Sequence, residues 1–266
     1  LVSDFGLALT GIARSAFDST AAEKRICDLF GIATLDAFGS FSRAEVSAMG
    51  ALIDYLEITQ KGKLPLLRSP QKESEARSVQ IDAATRRNLE LTHSMTGGRA
   101  GSLLSIMDRT CTAGGARLLE RRIASPSRSL ETVINRLNAI SFCTEHRRLV
   151  QDIRDHLRKV PALDRALSRL SLDRGGPRDI AAIRNGLAEA EQLQNLISPS
   201  DLPDLLATAA KGLTGHADLV DLLDAALVAE PPLLARDGGF IAEGYDEELD
   251  ASRKLRAEGR SVIAEM

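Results

Sequence analysis

Aromatic side chains are scarce in this sequence: Trp is absent, and aromatic residues make up only 3% of the chain. Hydrophobic residues nevertheless account for 44% of the 266 residues, which is enough for a sizeable core. That core must be built from Leu, Ile, Val and Ala, the residues that helix-on-helix packing uses. The scarcity of rings also argues against a surface that binds nucleic acid by stacking bases.

Cysteine and long apolar runs are also rare. Cys27, Cys111 and Cys143 lie far apart, form no CxxC pair and are odd in number, so we expect buried, reduced thiols rather than a disulfide framework. No apolar run approaches the roughly 18 residues of a membrane span, and no signal-peptide pattern occurs, so we expect a cytoplasmic protein without membrane contact. The first residue is Leu1 rather than Met, which indicates a piece of a longer protein.

Charge is distributed unevenly, although the net charge is only −3. Residues 81–180 hold 18 Lys and Arg against 11 Asp and Glu, a net of +7. Residues 1–80 hold 9 against 10, a net of −1, and residues 181–266 hold 7 against 16, a net of −9. A basic middle either faces nucleic acid or pairs with the acidic last third. We favour internal pairing, because no aromatic residues interleave with the arginines.

Helix signals begin near the start of the chain. Segment 18–30 has a capping Asp18 or Ser19 and an apolar face that includes Ile26. Ser42 and Glu45 form a capping box, and the helix after them has an apolar seam at heptad spacing. Its members are Val46, Met49, Ile53 and Leu56. The run 61–77, with two prolines, a glycine and many charges, is a candidate linker between domains.

From residue 81 onward the pattern is almost continuously helical. Asp82, Thr112 and Ser129 are predicted helix caps, and Pro177 occupies a first helical position. The helix after Ser129 carries apolar residues on one face: Leu130, Val133, Leu137 and Ile140. The last helix, 247–266, opens after Tyr245 and Asp246 and has no C-terminal cap, so we expect it to continue in a longer protein.

Two short segments carry β signals. The apolar run from Ile32 to Leu35 is a candidate strand, which would expose an unpaired edge. The segment 233–241 contains Asp237-Gly238, a strong signal for a short hairpin.

The chemistry of a complete active site is missing. The one Gly-Lys pair, Gly62-Lys63, is followed by Leu64 and preceded by no P-loop glycine, so no phosphate-binding P-loop exists. The loop containing Gly97, Gly98 and Gly101 fails the spacing of a dinucleotide-binding motif, and we interpret it as a plain connection. None of the four histidines has a second His or Cys at metal-ligand spacing. We therefore predict no catalytic, cofactor or metal site.

Arginine groups are the remaining candidates for a functional surface. Arg86 and Arg87 stand together in one helical run, and Arg117 and Arg121 are spaced to share a helix face. Phosphate contact is one interpretation of these four residues. Ion pairing with the acidic third, or a solvated surface, is the other.

Several blocks of the sequence resemble the MutS family of DNA mismatch repair proteins. IDAATRRNLEL (81–91) and SLLSIMDRTCTAGGARLLERRIASP (102–126) resemble the entry into the family's core, or lever, domain. Two later blocks resemble the helical parts that follow in the family. The family's long helical arm has its counterpart in PALDRALSRLSLDRGGPRDIAAIRNGL (161–187), and its ascending lever helix has its counterpart in RDGGFIAEGYDEELDASRKL (236–255). TLDAFG (34–39) and AMGALIDYLEITQKGKLPLL (48–67) resemble the end of the connector domain. The blocks follow the family's order.

The resemblance implies a mainly α fold, with the remnant of an α/β connector domain in residues 1–70 and an all-helical core or lever domain in 71–266. It implies a structural lever that couples an ATPase domain to mismatch-DNA binding. The family's recognition, clamp and P-loop domains have no counterpart here, so no catalytic or cofactor residue is carried over, and ATP and Mg²⁺ belong to the full-length proteins. Duplex DNA, a MutL-type protein and a second MutS subunit are the implied partners.

Two alternatives remain open at the level of sequence. A stand-alone helical interaction scaffold without a DNA role would show the same composition. A paralogue specialised for recombination is the other, although the connector-like residues 34–67 argue against it.

Overall fold

The computed structural model describes residues 11–72 and 78–265, with side chains described up to residue 259. The described chain is mainly helical, which confirms the predicted fold class. Its α-helices, numbered here in chain order, are α1 Ser19–Phe30, α2 Arg43–Thr59, α3 Ala83–Asn88, α4 Leu103–Met107, α5 Ala113–Ala124, α6 Leu130–Glu145, α7 Arg147–Lys159, α8 Leu163–Ser171, α9 Pro177–Ile197, α10 Asp204–Lys211, α11 Ala217–Ala226 and α12 Glu247–Glu265.

The chain divides into two compact units. The first comprises residues 1–74 with 171–173, and the second comprises residues 75–170 with 174–266. Helices α1 and α2 belong to the first unit, and α3 to α7 and α9 to α12 belong to the second.

The first unit has a small core between α1 and α2. Ile26 and Ala22 of α1 are each only 1% exposed, and they pack with Val46 and Ile53 from the predicted seam of α2. Gly50 allows the close approach of the two helices, because a Cβ at this position would collide with Ala22. The apolar faces predicted for both helices are therefore confirmed.

The predicted strand at Ile32–Leu35 is wrong. Gly31 ends α1 in the left-handed conformation, with φ of 64°, and the chain then enters a 3-10 helix, Leu35–Phe38. Leu35 is buried in the core beside α1, and Phe38 packs edge-on against Phe30 with ring centroids 5.3 Å apart. The apolar run thus covers the end of α1 rather than extending into a sheet, and residues 11–72 contain no strand.

Side-chain caps fix the starts of several helices, as the sequence predicts. The carboxylate of Asp18 accepts the backbone N–H of Ala21, and the hydroxyl of Ser42 accepts that of Glu45, whose carboxylate accepts the N–H of Ser42 in return. In the second unit the predicted caps Asp82, Thr112 and Ser129 each accept a backbone N–H three residues on. Each cap satisfies a donor that the first helical turn leaves unpaired.

The hairpin predicted within 233–241 is also wrong in its pairing. The antiparallel bridge joins Leu227 to Ile241, with hydrogen bonds from the Val228 N–H to the Phe240 carbonyl and from the Ala242 N–H to the Ala226 carbonyl. Pro231 and Pro232 explain the shift, because proline has no N–H to donate to a ladder and pairing therefore moves upstream of both residues. The segment predicted as the hairpin instead contains a 3-10 helix, Ala235–Asp237.

Candidate functional site

Arg86 and Arg87 occupy the last turn of α3 and differ in their surroundings. Arg86 is half-buried; its Nη2 donates to the Ile81 carbonyl at 3.1 Å, and its buried Nε has no hydrogen-bond partner. Arg87 is exposed and makes no ion pair in the described part of the chain. Arg87 is thus the better placed of the two to meet an external anion.

Arg117 and Arg121 lie one turn apart on the exposed side of α5. Arg117 already has a partner: its Nη2 lies 2.8 Å from Oδ2 of Asp164 on α8. The two side chains remain 63% and 69% exposed, so solvent screens this pair and a stronger anion can replace the carboxylate. Arg121 has no such partner among the described ion pairs.

Three guanidinium groups form a basic cluster that the sequence did not predict. This arginine cluster consists of Arg121 and Arg122 at the end of α5 and Arg136 in the middle of α6. Partial burial lowers the pKa of Arg122, and the positive charges of Arg136 and Arg121 lower it further. Within residues 11–72 and 78–259, no carboxylate forms an ion pair with any member of the cluster, and the buried Nε of Arg122 has no hydrogen-bond partner. The cluster is therefore an uncompensated concentration of positive charge.

The ion pairs of the basic middle correct the expectation that it pairs with the acidic last third. Arginines of the middle pair with carboxylates of the middle, in Arg99–Asp108, Arg117–Asp164, Arg158–Asp155 and Arg169–Asp179. Only His156, whose Nδ1 lies 2.8 Å from the Glu189 carboxylate, reaches past residue 180 in the part of the chain that is described. Only Arg158–Asp155 joins neighbours on one helix; the other three pairs join different segments of residues 81–180, so the fold of this region supplies its own carboxylates.

A hydrogen-bonded connection, here called the arginine link, joins α9 to α12. Arg184 of α9 is only 8% exposed, and its Nη1 and Nη2 donate to the carbonyls of Val228 and Ala229 at 3.2 and 3.0 Å. The Asp224 carboxylate lies 3.4 Å from its Nε. The guanidinium thus fixes the segment that leaves α11.

The link continues through the bridge into α12. Ile241 pairs with Leu227, and its carbonyl accepts a hydrogen bond from Nη2 of Arg253 at 2.9 Å. Arg253 also pairs with Asp250 at 2.9 Å, and the Asp250 carboxylate accepts the backbone N–H of Gly244. Two arginines and one β-bridge therefore fix the root of α12 relative to α9.

Sequence reasoning missed Arg184, Arg253 and Arg136 as functional candidates. A usable signal existed for Arg184, because it directly follows Ile183 on the apolar side of α9. No comparable signal existed for Arg136, since its neighbours in the cluster lie on the preceding helix.

Among the described residues, no group of three or more metal-ligating side chains converges, and no helix is long and apolar enough to cross a membrane.

The chain matches two known family models along most of its length. Residues 84–266 match the family model of MutS domain III, and residues 8–68 match that of MutS domain II. The chain belongs to the MutS family. Relatives that match along nearly its whole length are each named DNA mismatch repair protein MutS. The relative from Roseobacter denitrificans is 68% identical over 266 residues. The relatives from Ruegeria sp. TM1040 and Paracoccus denitrificans are 62% identical over 264 residues and 57% identical over 266 residues.

The match covers the chain far more completely than it covers the relatives. It spans 99–100% of this chain but 30% of each MutS relative. The chain thus comprises MutS domains II and III, a mainly helical part of a mismatch repair protein.

Proposed function

We propose that this chain is the lever and core segment of a MutS-type protein, and that it couples ATP hydrolysis elsewhere in the longer protein to the binding of mismatched DNA. The arginine link carries this proposal. α9 and α12 contain 21 and 19 residues, and stiff helices of this length transmit displacement as rigid units. A connection built from a buried guanidinium and main-chain hydrogen bonds resists the bending that would absorb such motion.

The division of labour within the chain is part of the same proposal. We assign residues 1–70 to the connector remnant and residues 71–266 to the core and lever domain, which the two family-model matches and the two compact units support. ATP and Mg²⁺ act in the full-length family, and no P-loop motif occurs in this sequence. Duplex DNA, a second MutS-type subunit and a MutL-type protein are the partners we propose for the longer protein.

Exposure and pairing rank the proposed DNA contacts. Arg87 and Arg121 are exposed and lack ion pairs among the described residues, Arg117 shares its charge with Asp164, and Arg86 is held by its own chain. Phosphate contacts by such residues would position the lever on DNA without reading sequence.

A chimera tests the lever proposal. This chain replaces the matching segment of the 68% identical Roseobacter denitrificans protein, and ATP turnover is measured with matched and mismatched duplex. We expect mismatched duplex to stimulate turnover in the chimera. The double variant Arg184→Met, Arg253→Met should keep basal turnover and duplex affinity but lose that stimulation.

Arg178→Met is the matched control, because Arg178 lies on α9 and donates to a single carbonyl, that of Pro231. Stimulation that persists undiminished in the double variant would refute a role for the arginine link in coupling. Loss of basal turnover in every variant would instead indicate general damage to the chimera, and the control would reveal it.

A further inference from the structure

Three arginines outside the arginine cluster hydrogen-bond to one pair of consecutive residues, Asp108 and Arg109. Nη2 of Arg99 lies 2.6 Å from the Asp108 carboxylate, and Nη1 of Arg109 donates to the Asp108 carbonyl at 3.0 Å. Nη1 of Arg154 on α7 donates to the Arg109 carbonyl at 2.9 Å. We call Arg99, Arg109 and Arg154 the arginine triad. Because their acceptors belong to neighbouring residues, whose Cα atoms lie about 3.8 Å apart, the hydrogen bonds themselves bring the three side chains to one place.

The arginine triad carries more positive charge than its partners neutralise. Within residues 11–72 and 78–259, Asp108 is the one carboxylate that forms an ion pair with a member of the triad. Arg109 and Arg154 bond instead to carbonyls, which carry no net charge. Three guanidinium groups and one carboxylate therefore leave a charge of +2 around the Asp108–Arg109 pair.

The carboxylates nearest in the chain are already engaged or turned away. Oδ1 of Asp108 accepts the backbone N–H and the hydroxyl of Thr110 at 3.0 and 2.7 Å, so only Oδ2 pairs with a triad arginine. On α7, Asp155 pairs with Arg158. Asp152 lies two positions before the α7 member of the triad, a spacing at which side chains on a helix do not face each other. The excess charge is thus available to an external anion.

Each triad guanidinium is held in place and keeps unused donors. A guanidinium has five N–H donors, and the bonds described here occupy one nitrogen of each. Bonds to main-chain carbonyls fix Arg109 and Arg154 without cancelling their charge, which lowers the cost of ordering them around a ligand. Arg99 and Arg109 are exposed and Arg154 is half-buried, so a ligand can approach from solvent.

We propose that the arginine triad binds a phosphate group. The planar fork of a guanidinium matches phosphate oxygens and forms two parallel hydrogen bonds to them. A terminal phosphate brings three acceptor oxygens and roughly −1.5 to −2 charges, which balances the +2 left by the triad. The group belongs either to a nucleic-acid backbone or to a free phosphate compound, since both present the same oxygens. The proposal is independent of the lever role, because it requires no coupling to ATP turnover.

Inorganic phosphate is the probe for the site itself. It is titrated into the complete chain at constant ionic strength, with chloride as the replaced anion, while NMR records the arginine Nε–H groups and the backbone amides of residues 108–110. We expect saturable shifts at these positions. The double variant Arg109→Gln, Arg154→Gln should weaken phosphate binding at least about tenfold, the scale of one or two charge-assisted hydrogen bonds.

A second double variant is the matched control. Arg158→Gln, Arg169→Gln removes the same two positive charges, but from arginines that already pair with Asp155 and Asp179. It should change phosphate affinity by less than about twofold, because such exposed pairs have little charge left to offer. Circular dichroism verifies the fold of both variants, and the positions of the shifts in the unaltered chain locate the site without any substitution.

A short fluorescent duplex identifies the source of the phosphate. Its binding is measured by anisotropy at two salt concentrations. If the triad contacts a nucleic-acid backbone, Arg109→Gln, Arg154→Gln should reduce the slope of log affinity against log salt by about 2, and the control should reduce it less. If the triad binds a free phosphate compound, both double variants should change duplex binding equally while the result with inorganic phosphate stands.

Three outcomes would overturn the proposal. The first is that inorganic phosphate causes no saturable shift. The second is that the saturable shifts lie away from Arg99, Arg154 and residues 108–110. The third is that both double variants weaken phosphate binding equally, which would mean that the net charge of the chain attracts phosphate and that the triad forms no site.

Discussion

At the scale of single residues, we expect the loss of the Arg184 side chain to lower the free energy of unfolding. Arg184→Met keeps much of the apolar stem but leaves the carbonyls of Val228 and Ala229 without their donors. Because hydrogen bonds from charged donors contribute roughly 1.5–3 kcal/mol each, we expect the free energy of unfolding to fall by at least about 1.5 kcal/mol. Urea denaturation of the full chain measures this loss.

The companion variant Arg178→Met makes that measurement interpretable. Arg178 is exposed on the same helix and donates one bond of 3.2 Å, so its replacement should change the free energy of unfolding by no more than about 0.5 kcal/mol. Equal losses in both variants would mean that Arg184 contributes only generic packing to α9.

Asp108 should make part of the stability depend on pH. Its carboxylate accepts the backbone N–H of Thr110 at 3.0 Å and the Thr110 hydroxyl at 2.7 Å, and Arg99 lies 2.6 Å away. These three interactions, in that order, lower the pKa of Asp108 below its ordinary value. The stability they contribute is therefore present above the carboxyl pKa of the unfolded chain, about 3.9, and is lost as pH falls through the lower folded-state pKa.

Asp108→Asn removes this titration. We expect the difference in unfolding free energy between wild type and variant to be constant near neutral pH and to shrink as the pH drops through the acidic window. Carboxyl NMR of Asp108 gives the midpoint directly, and Thr110→Val should raise it by removing one donor. A midpoint at the ordinary value would show that these contacts do not form in solution.

At the scale of elements, the contact of α1 with α2 depends on the absence of a side chain. A Cβ at Gly50 would collide with the Ala22 Cβ and lie 3.0 Å from its Cα. Because the backbone of α1 must move to admit it, we expect Gly50→Ala to destabilise the first unit by about 1–3 kcal/mol.

Gly114→Ala is the matched substitution in an open helical position, since nothing lies within 4 Å of a Cβ there. It should stabilise by up to about 1 kcal/mol, the difference in helix propensity between the two residues. Thermal unfolding of both variants shows whether each substitution lowers or raises the stability of the fold. A stabilising Gly50→Ala would mean that α1 and α2 pack less closely than described.

Helix starts could be predicted from the sequence, and strand pairing could not. Caps at Asp82, Thr112 and Ser129 act within three residues, so local sequence contains all the atoms that decide them. The bridge between Leu227 and Ile241 joins residues far apart in the chain, and the prolines between them displaced it from the Asp237-Gly238 signal. The strand prediction for Ile32–Leu35 was wrong because this run packs against the core beside α1, and a local pattern does not contain that contact.

The candidate site was predicted only in part, for a related reason. Arg117 and Arg121 share a face of α5 as their spacing predicts, because one helix determines that geometry. Arg136 lies on the next helix, α6, so its closeness to Arg121 and Arg122 depends on tertiary structure, and Arg184 and Arg253 act through carbonyls whose positions no side-chain pattern reveals.

At the scale of the whole molecule, the two compact units should unfold in separate calorimetric transitions. The first unit has the core around Ile26, the second buries apolar residues of its own such as Leu104 and Leu193, and distant, independent sites change stability additively. Gly50→Ala should therefore lower one transition temperature and Arg184→Met the other, each leaving its counterpart in place. A single transition that both variants lower would show that the units fold as one cooperative body.

DNA binding by the isolated chain should be weak, salt-sensitive and indifferent to mismatches. Residues 81–180 carry a net charge of +7, from 18 basic and 11 acidic residues, and the arginine cluster concentrates part of it. Phosphate contacts release counterions, so affinity should fall steeply with salt from the roughly 10⁻⁴–10⁻⁶ M range of non-specific binding.

Titration of a G·T duplex and its matched twin at two salt concentrations measures both properties. Arg121→Gln should reduce the salt slope, while Arg158→Gln, which removes an arginine already paired with Asp155, should change it less. A reproducible preference of about tenfold for the mismatch would mean that a base-reading element lies in these domains.

The arginine link has a consequence for how this sequence can vary. Three of its acceptors are the main-chain carbonyls of Val228, Ala229 and Ile241, and its bridge is made of backbone atoms alone. Side chains at these three positions can be exchanged for others of similar size while their carbonyls stay in place. In a saturation mutagenesis of the chain, tolerance should therefore be broad at Val228, Ala229 and Ile241, which are not buried, and narrow at the buried Leu227 and at Arg184 and Arg253.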